Sequence, residues 1–235
     1  MSIADGSPAD PAESLDDTPR GVVIEAVTIG LTTGAYGVSF GALSVTSGLS
    51  LWQTVALSAL MFTGASQFAL ISVVSTGGSA AAAVVGSTLL GVRNLFYGLR
   101  IRQILQPSPA LSVPAAHLTI DESTAMALAH HGRPVPRAAL AFWSTGASIY
   151  VLWNLGTAVG ALGASSIGDP ARWGLDAAVP AAFLALLWPQ ITSRRLLGVA
   201  VVSAFVGIAL TPVLSPGLPV LCAALVPLLF LRGAS

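Results

Sequence analysis

Four short strings carry most of the polar groups that lie within apolar sequence, and each suggests a chemistry. The first is "TGASQF" (63–68), in the middle of a long apolar run. Polar groups at such depth must find partners. A helix broken here would free the N–H groups of Ala65, Ser66 and Gln67 beside Gly64, and such an end suits a carboxylate. Close packing of small residues against another helix is the alternative, although Gln67 is large for that purpose. The second is Arg93-Asn94, within "LLGVRNLFYGLRIR" (89–102). An arginine near the centre of a span costs about 2.5–3.5 kcal/mol on insertion scales. It is therefore either paired with a carboxylate or an anionic ligand, or it snorkels towards the interface that Arg100 and Arg102 mark. The third is Asp121-Glu122, within "TIDESTAMALAHH" (119–131). Together with the histidines these acids either handle protons or complement the positive end of a short helix capped by Thr119. The fourth is Asp176, in "RWGLDAAVP" (172–180), which opens a later helix as an N-terminal carboxylate or as a substrate or ion group. No metal is expected: His130 and His131 are adjacent and cannot share one helix face.

The elements that must position these groups are helices. A spanning helix needs about 20 mostly apolar residues. About seven segments qualify, at 22–46, 51–76, 79–102, 138–162, 174–192, 195–214 and 216–232. The intervening stretch 103–137 is bracketed by prolines, and its middle, 114–131, holds too many polar groups to face lipid. It reads as interfacial or re-entrant. Gly34, Gly37 and Gly41 in the first segment form a small-residue face for packing, or an unwound stretch opposite the 63–68 break. The expected fold is an all-α integral membrane protein of about seven transmembrane helices with interrupted helices. A 3+3 inverted repeat fits the count, with Gln67 laid on Gln190 and Ser66 on Pro189. Arg100, Arg102, Arg133 and Arg137 flank one loop, Arg194 and Arg195 another, and Arg232 follows the last segment. Placing these inside predicts an external N-terminus that carries Arg20.

Composition agrees. The chain is 54% hydrophobic and 9% charged, against about 25% charged in soluble domains. It contains no lysine, which excludes a Schiff-base photoreceptor. Zero net charge gives no argument for nucleic acid, and a single Cys222 excludes an intrachain disulfide. Residues 1–20 are acidic and rich in proline and serine, a composition of disordered tails that leaves 21–235 as a single transmembrane domain. There is no phosphate-binding loop, dinucleotide fingerprint or other sign of a cofactor. An intramembrane serine protease built on Ser66 would need a histidine base from a late helix, and no histidine follows His131. That reading and a non-transporting scaffold are the alternatives to a transporter.

"TTGAYGVSFGALSVTSGLSLWQTVALSALMFTGASQFALI" (32–71), "LLGVRNLFYGL" (89–99), "TIDESTAMAL" (119–128) and "WGLDAAVPAAFLALLWPQI" (173–191) together resemble the AzlC/YgaZ family, the large subunits of branched-chain amino acid exporters. The resemblance implies a multi-pass secondary transporter in the cytoplasmic membrane. Proton-driven export of leucine, isoleucine, valine and related apolar amino acids is implied, together with a small AzlD/YgaH-type membrane subunit. It implies no cofactor and no enzymatic activity. The family's motifs match at Gly64 to Phe68, Asp121-Glu122 and Asp176; with the physical reading above, the expected substrate contacts are Gly64, Ala65, Ser66, Gln67, Arg93 and Asn94, and the expected proton-coupling groups are Asp121, Glu122 and Asp176. One position departs: a histidine that the family often has next to the arginine is absent here, where Arg93-Asn94 stands. Physically, a zwitterionic amino acid needs an anion site, a cation site and an apolar pocket, for which Phe40, Phe62 and Phe68 are candidates.

Overall fold

The computed structural model describes residues 18–132, 137–167, 184, 187–188, 191–214 and 218–231. Among them the regular elements are helices: α1 (Pro19–Thr46), α2 (Leu51–Leu60), α3 (Gly64–Ser75), α4 (Ala80–Leu105), α5 (Pro109–His117), α6 (Asp121–Ala129), α7 (Ala138–Ile167), α8 (Arg194–Leu210) and α9 (Leu218–Leu231). Three of the described helices, α1, α4 and α7, are long and apolar enough to cross a membrane, against the seven expected. At 28, 26 and 30 residues they are about 39–45 Å long, more than the hydrocarbon core requires.

The α1–α7 pair is the axis of the molecule, and glycine sets how close it comes. A Cβ on Gly37 would lie 2.6 Å from the Trp153 carbonyl oxygen, and one on Gly41 or Gly160 would overlap the carbonyl of Thr157 or Val38. Hence the Gly34–Gly41 stretch is a packing face within an unbroken helix, and the unwound alternative is set aside. Gly30 meets Ser148, Gly34 meets Leu152 and Gly41 meets Thr157, so both helices run the same way. The opposite direction of α4 follows from its ends: Ile101, near its C-terminus, packs with Phe142 at the start of α7.

Helices α2, α3, α5 and α6 fold into two hairpins that enter from opposite ends. Helices α2 and α3 have 10 and 12 residues, about 15 and 18 Å, half of a membrane's hydrocarbon thickness. Ser58 of α2 donates to Thr157 (3.1 Å), deep along α7, and the chain turns at 61–63. It then runs back, because Phe68 meets Phe40 at 5.7 Å and the next turn leads directly into α4. Segment 51–76 is thus not a span. Its central Thr63-Gly64 breaks the helix, and the second half returns to the end it came from. Helices α5 and α6 do the same from the other end. Ala115 and Ala127 both pack on Phe142, whereas Leu118, between them, reaches Gly146. Thus 114–131 re-enters. The turns joining α1 to α2 and α3 to α4 use Gly48 (φ +98°) and Gly77 (φ +74°), conformations that disfavour a side chain.

This topology revises the sidedness read from the sequence. Val22 of α1 packs with Met126 and Ala141, at the end where α4 finishes and α7 begins. Arg20 therefore shares an end with Arg100, Arg102 and Arg137. Arg195 of α8 donates to the Phe230 carbonyl at the finish of α9, while Thr211 and Pro219 line a cleft with Thr76 at the opposite end. Arg194 and Arg195 therefore join the same arginine-rich end. The expected external N-terminus counted 51–76 as a crossing, which it is not. Residues 1–17, Arg133, Arg172, Asp176, Pro189, Gln190 and Arg232 lie outside the described residues, and with them the Gln67–Gln190 pairing.

Candidate functional site

The two hairpin tips meet in the middle of the bundle around a cavity of about 60 Å³. One water needs about 10–15 Å³ in such a space, so the cavity has room for several waters. It is lined by Phe62, Thr63, Gly64, Ala65 and Phe68 from the first hairpin, Ile120, Asp121 and Glu122 from the second, and Arg93 and Asn94 from α4. Thr33 and Tyr36 of α1 and Ile149 and Trp153 of α7 complete it.

Two helix N-termini open here without side-chain caps. Four helices that begin at the bundle ends have them, Thr18, Ser50, Ser79 and Ser193 each accepting from a first-turn N–H, whereas α5, with Ser108 at its N-cap, has none. Thr63, the N-cap of α3, makes no cap bond, and its hydroxyl donates instead to Ser66 Oγ (3.3 Å). The first α3 helical bond is Gln67 N–H to the Thr63 carbonyl (3.1 Å), so the N–H groups of Gly64, Ala65 and Ser66 precede it. The N-cap of α6 is Ile120, whose side chain has no acceptor; its own N–H is held by Ser123 Oγ (3.1 Å), which donates to the Leu118 carbonyl (2.7 Å). Both tips present partial positive charge to the cavity.

Across it run the full charges. Arg93 Nη2 lies 2.8 Å from Asp121 Oδ2, joining α4 to the second tip. Both side chains remain 38% exposed, so the pair contributes about 0–1 kcal/mol to stability. Its valences are not filled: Arg93 Nε, Asn94 Oδ1 and Asp121 Oδ1 are buried atoms with no partner among the described residues. Tyr97, one turn along α4, faces the same carboxylate. Glu122, on a helix outside the three candidate spans, has its carboxyl pushed above the ordinary value. Burial is the main cause and the Asp121 charge adds to it, while its own backbone N–H and Arg93 pull the other way.

Of the residues expected at a site, Gly64, Ala65, Arg93, Asn94, Asp121 and Glu122 line one cavity. Ser66 and Gln67 are fully buried and stand behind it. The Gln67 side-chain amide lies within hydrogen-bonding distance of the carbonyls of Leu57 (3.3 Å), Ser58 (3.2 Å) and Met61 (2.9 Å). It thus closes the cut end of α2, and its N–H is not among the free ones. Ser66 has Thr63 as its hydroxyl partner, and the His117 ring lies tilted against Phe62 and edge-on to Tyr150. Phe62 and Phe68 line the cavity, whereas Phe40 lies behind Trp153. Thr33, Tyr36, Ile149 and Trp153 were not expected; they are ordinary apolar-helix residues whose type gives no hint of which face they occupy.

An apolar helical bundle with three helices long enough to cross a membrane is a membrane protein, and here its half-helices meet at a charged central cavity. Residues 28–167, which contain every residue lining the cavity, match the family model described as AzlC protein. The chain belongs to the AzlC family, membrane proteins associated with branched-chain amino acid transport. No curated protein and no solved structure matches it.

Proposed function

We propose that the chain is the large subunit of a multi-pass secondary transporter that exports branched-chain and other apolar amino acids across the cytoplasmic membrane. The carrying observation is the Arg93–Asp121 pair, set between two uncapped helix N-termini in a cavity that Phe62, Phe68, Ile149 and Trp153 also line. A zwitterion supplies the same two charges. Its carboxylate takes Arg93 and the N–H groups of Gly64 and Ala65, and its ammonium takes Asp121 through the free Oδ1. Its side chain meets Phe62, Phe68, Ile149 and Trp153. Binding then exchanges one ion pair for two, so little electrostatic energy is lost when the site empties. A hairpin tip that yields from either side gives alternating access.

An internal repeat supports this plan. Shifting the sequence by 58 residues lays Ser50 on Ser108, Val55 on Val113, Leu60 on Leu118, Ser66 on Thr124 and Ala69-Leu70 on Ala127-Leu128. The same shift carries α2–α3–α4 onto α5–α6–α7 within a residue at the element starts, with opposite direction. We read it as an inverted repeat of a re-entrant hairpin plus a span, in place of the 3+3 plan. The arginine-rich end is cytoplasmic on the positive-inside rule, which puts the start of α1 inside. Glu122, raised by burial, is the proton carrier we favour over Asp121, which is held by Arg93, and over Asp176. A small AzlD/YgaH-type subunit completes the transporter against the apolar outer faces. The test is counterflow in sealed vesicles with a panel of labelled amino acids: leucine, isoleucine and valine are exchanged. Vesicles that exchange none of the panel refute the reading.

A further inference from the structure

We propose that Trp153 and Gly64 together form the size filter for the substrate's side chain. The inference rests on the amino-acid reading above and names the residues that set its limit. Trp153 lines the cavity with only 4% of its surface exposed. Its ring is held on two sides: it stacks on Phe40 (6.1 Å between centroids, 27°) and is met by Phe68 at right angles (6.1 Å, 85°). Phe40 is itself fully buried. The indole therefore cannot swing aside without moving two packed rings.

From that seat its benzo edge reaches the tip of the first hairpin. A Cβ on Gly64 would lie 3.1 Å from Cη2 of Trp153 and 3.6 Å from Cζ2 and Cζ3. Gly64 has no left-handed backbone conformation, so space, and not φ, requires glycine here. The same glycine supplies one of the free N–H groups expected to meet the substrate's carboxylate. A side chain attached to that substrate must leave towards Phe62, Phe68 and Ile149, and the indole edge ends the room available. Replacing indole by phenyl removes that edge while keeping an aromatic ring between Phe40 and Phe68. An apolar pocket distinguishes one methylene by about 10–200-fold, so a change of this size is measurable as altered preference.

The experiment uses the full chain in sealed membrane vesicles and reads competition against labelled leucine by unlabelled alanine, leucine and phenylalanine. Trp153→Phe is expected to raise the potency of phenylalanine relative to leucine by about tenfold or more. Gly64→Ala is expected to weaken leucine competition while sparing alanine, because its methyl group meets an immobile ring. Combining Gly64→Ala with Trp153→Phe is expected to restore leucine. Unchanged ranking in Trp153→Phe, with active wild type, overturns the filter and leaves the transport reading standing. Should Trp153→Phe fail to reach the membrane, Gly64→Ala decides alone: full leucine competition overturns the filter. Wild-type vesicles that exchange no apolar amino acid overturn the transport reading and the filter with it.

Discussion

Replacing Gln67 by leucine separates a residue that holds the site from one that touches the ligand. Breaking a helix at 61–63 strands the last carbonyls of α2 within the bundle, away from their helical partners. Gln67 reaches back from α3 to three of them at 2.9–3.3 Å, and it is fully buried. Its amide has two hydrogens, so at most two of these contacts are full hydrogen bonds at one time. Other donors serve part of the set: Leu57 accepts from Met61 N–H (3.0 Å) and Met61 accepts from Thr63 N–H. The Ser58 carbonyl is the group that Gln67→Leu leaves poorest. One stranded buried carbonyl costs about 1–3 kcal/mol. Leucine recovers little of this, since the amide it replaces also fills its space. For a chain of this size each kcal/mol lowers Tm by roughly 2–4 °C. Thermal unfolding of the detergent-solubilised protein, followed by fluorescence-detected size-exclusion chromatography, should show that fall. Free leucine should still stabilise the variant, because no atom of Gln67 lines the cavity. A variant as stable as the wild type that no longer responds to leucine would refute this reasoning and return Gln67 to the ligand.

Other perturbations probe the charges, the packing and the topology. Arg93→Lys should lose transport nearly as fully as Arg93→Ala with Tm almost unchanged, because a half-exposed pair holds little stability and a point charge cannot replace the planar fork. Retained flux at unchanged apparent affinity would count against a carboxylate clamp. The Glu122 carboxyl is raised in the fold, so its protonated form is favoured there, and stability should fall as pH climbs from the ordinary carboxylate range through the raised value. Glu122→Gln should flatten that limb in a Tm-against-pH series and remove the matching limb of flux; parallel curves would place the coupling group elsewhere. Gly160→Ala should cost stability heavily, since its methyl group overlaps the Val38 carbonyl and pushes α1 from α7. A melt within 1 °C of wild type (roughly 0.5 kcal/mol or less) would contradict that contact. In a Cys222→Ala background, Thr18→Cys should react with an impermeant thiol reagent only after permeabilisation, and Thr46→Cys from outside. The reverse pattern would invert the sidedness.

How much of the fold and site is legible in the sequence depends on whether a feature is local. The break at 63–68 is legible because glycine, two hydroxyls and an amide serve little purpose in an uninterrupted apolar helix. Its direction is not. Segment 51–76 is long enough to cross, and nothing in it says that α3 turns back, since that choice is made by Phe68 packing on Phe40 and Trp153. The sidedness error follows from this one miscounted crossing. Gln67 reads as a ligand group because a deep amide must have a partner; the partner is created by the break itself. The charged groups stand out by type alone, and six of the nine expected residues line one cavity. Their apolar companions stay hidden, because Trp153 or Ile149 on a long apolar helix looks the same whichever way it faces. The second hairpin is the most concealed. Its sequence is too polar to resemble the first at sight, yet Leu60 and Leu118, Ser66 and Thr124 fall together when the sequence is shifted by 58 residues. That polarity has a physical reason under the inverted-repeat reading. Two identical half-helix tips would face each other with like partial charge and bind only anions. Replacing Thr63-Gly64 of one tip by Asp121-Glu122 in the other makes the pair complementary, as a zwitterion requires.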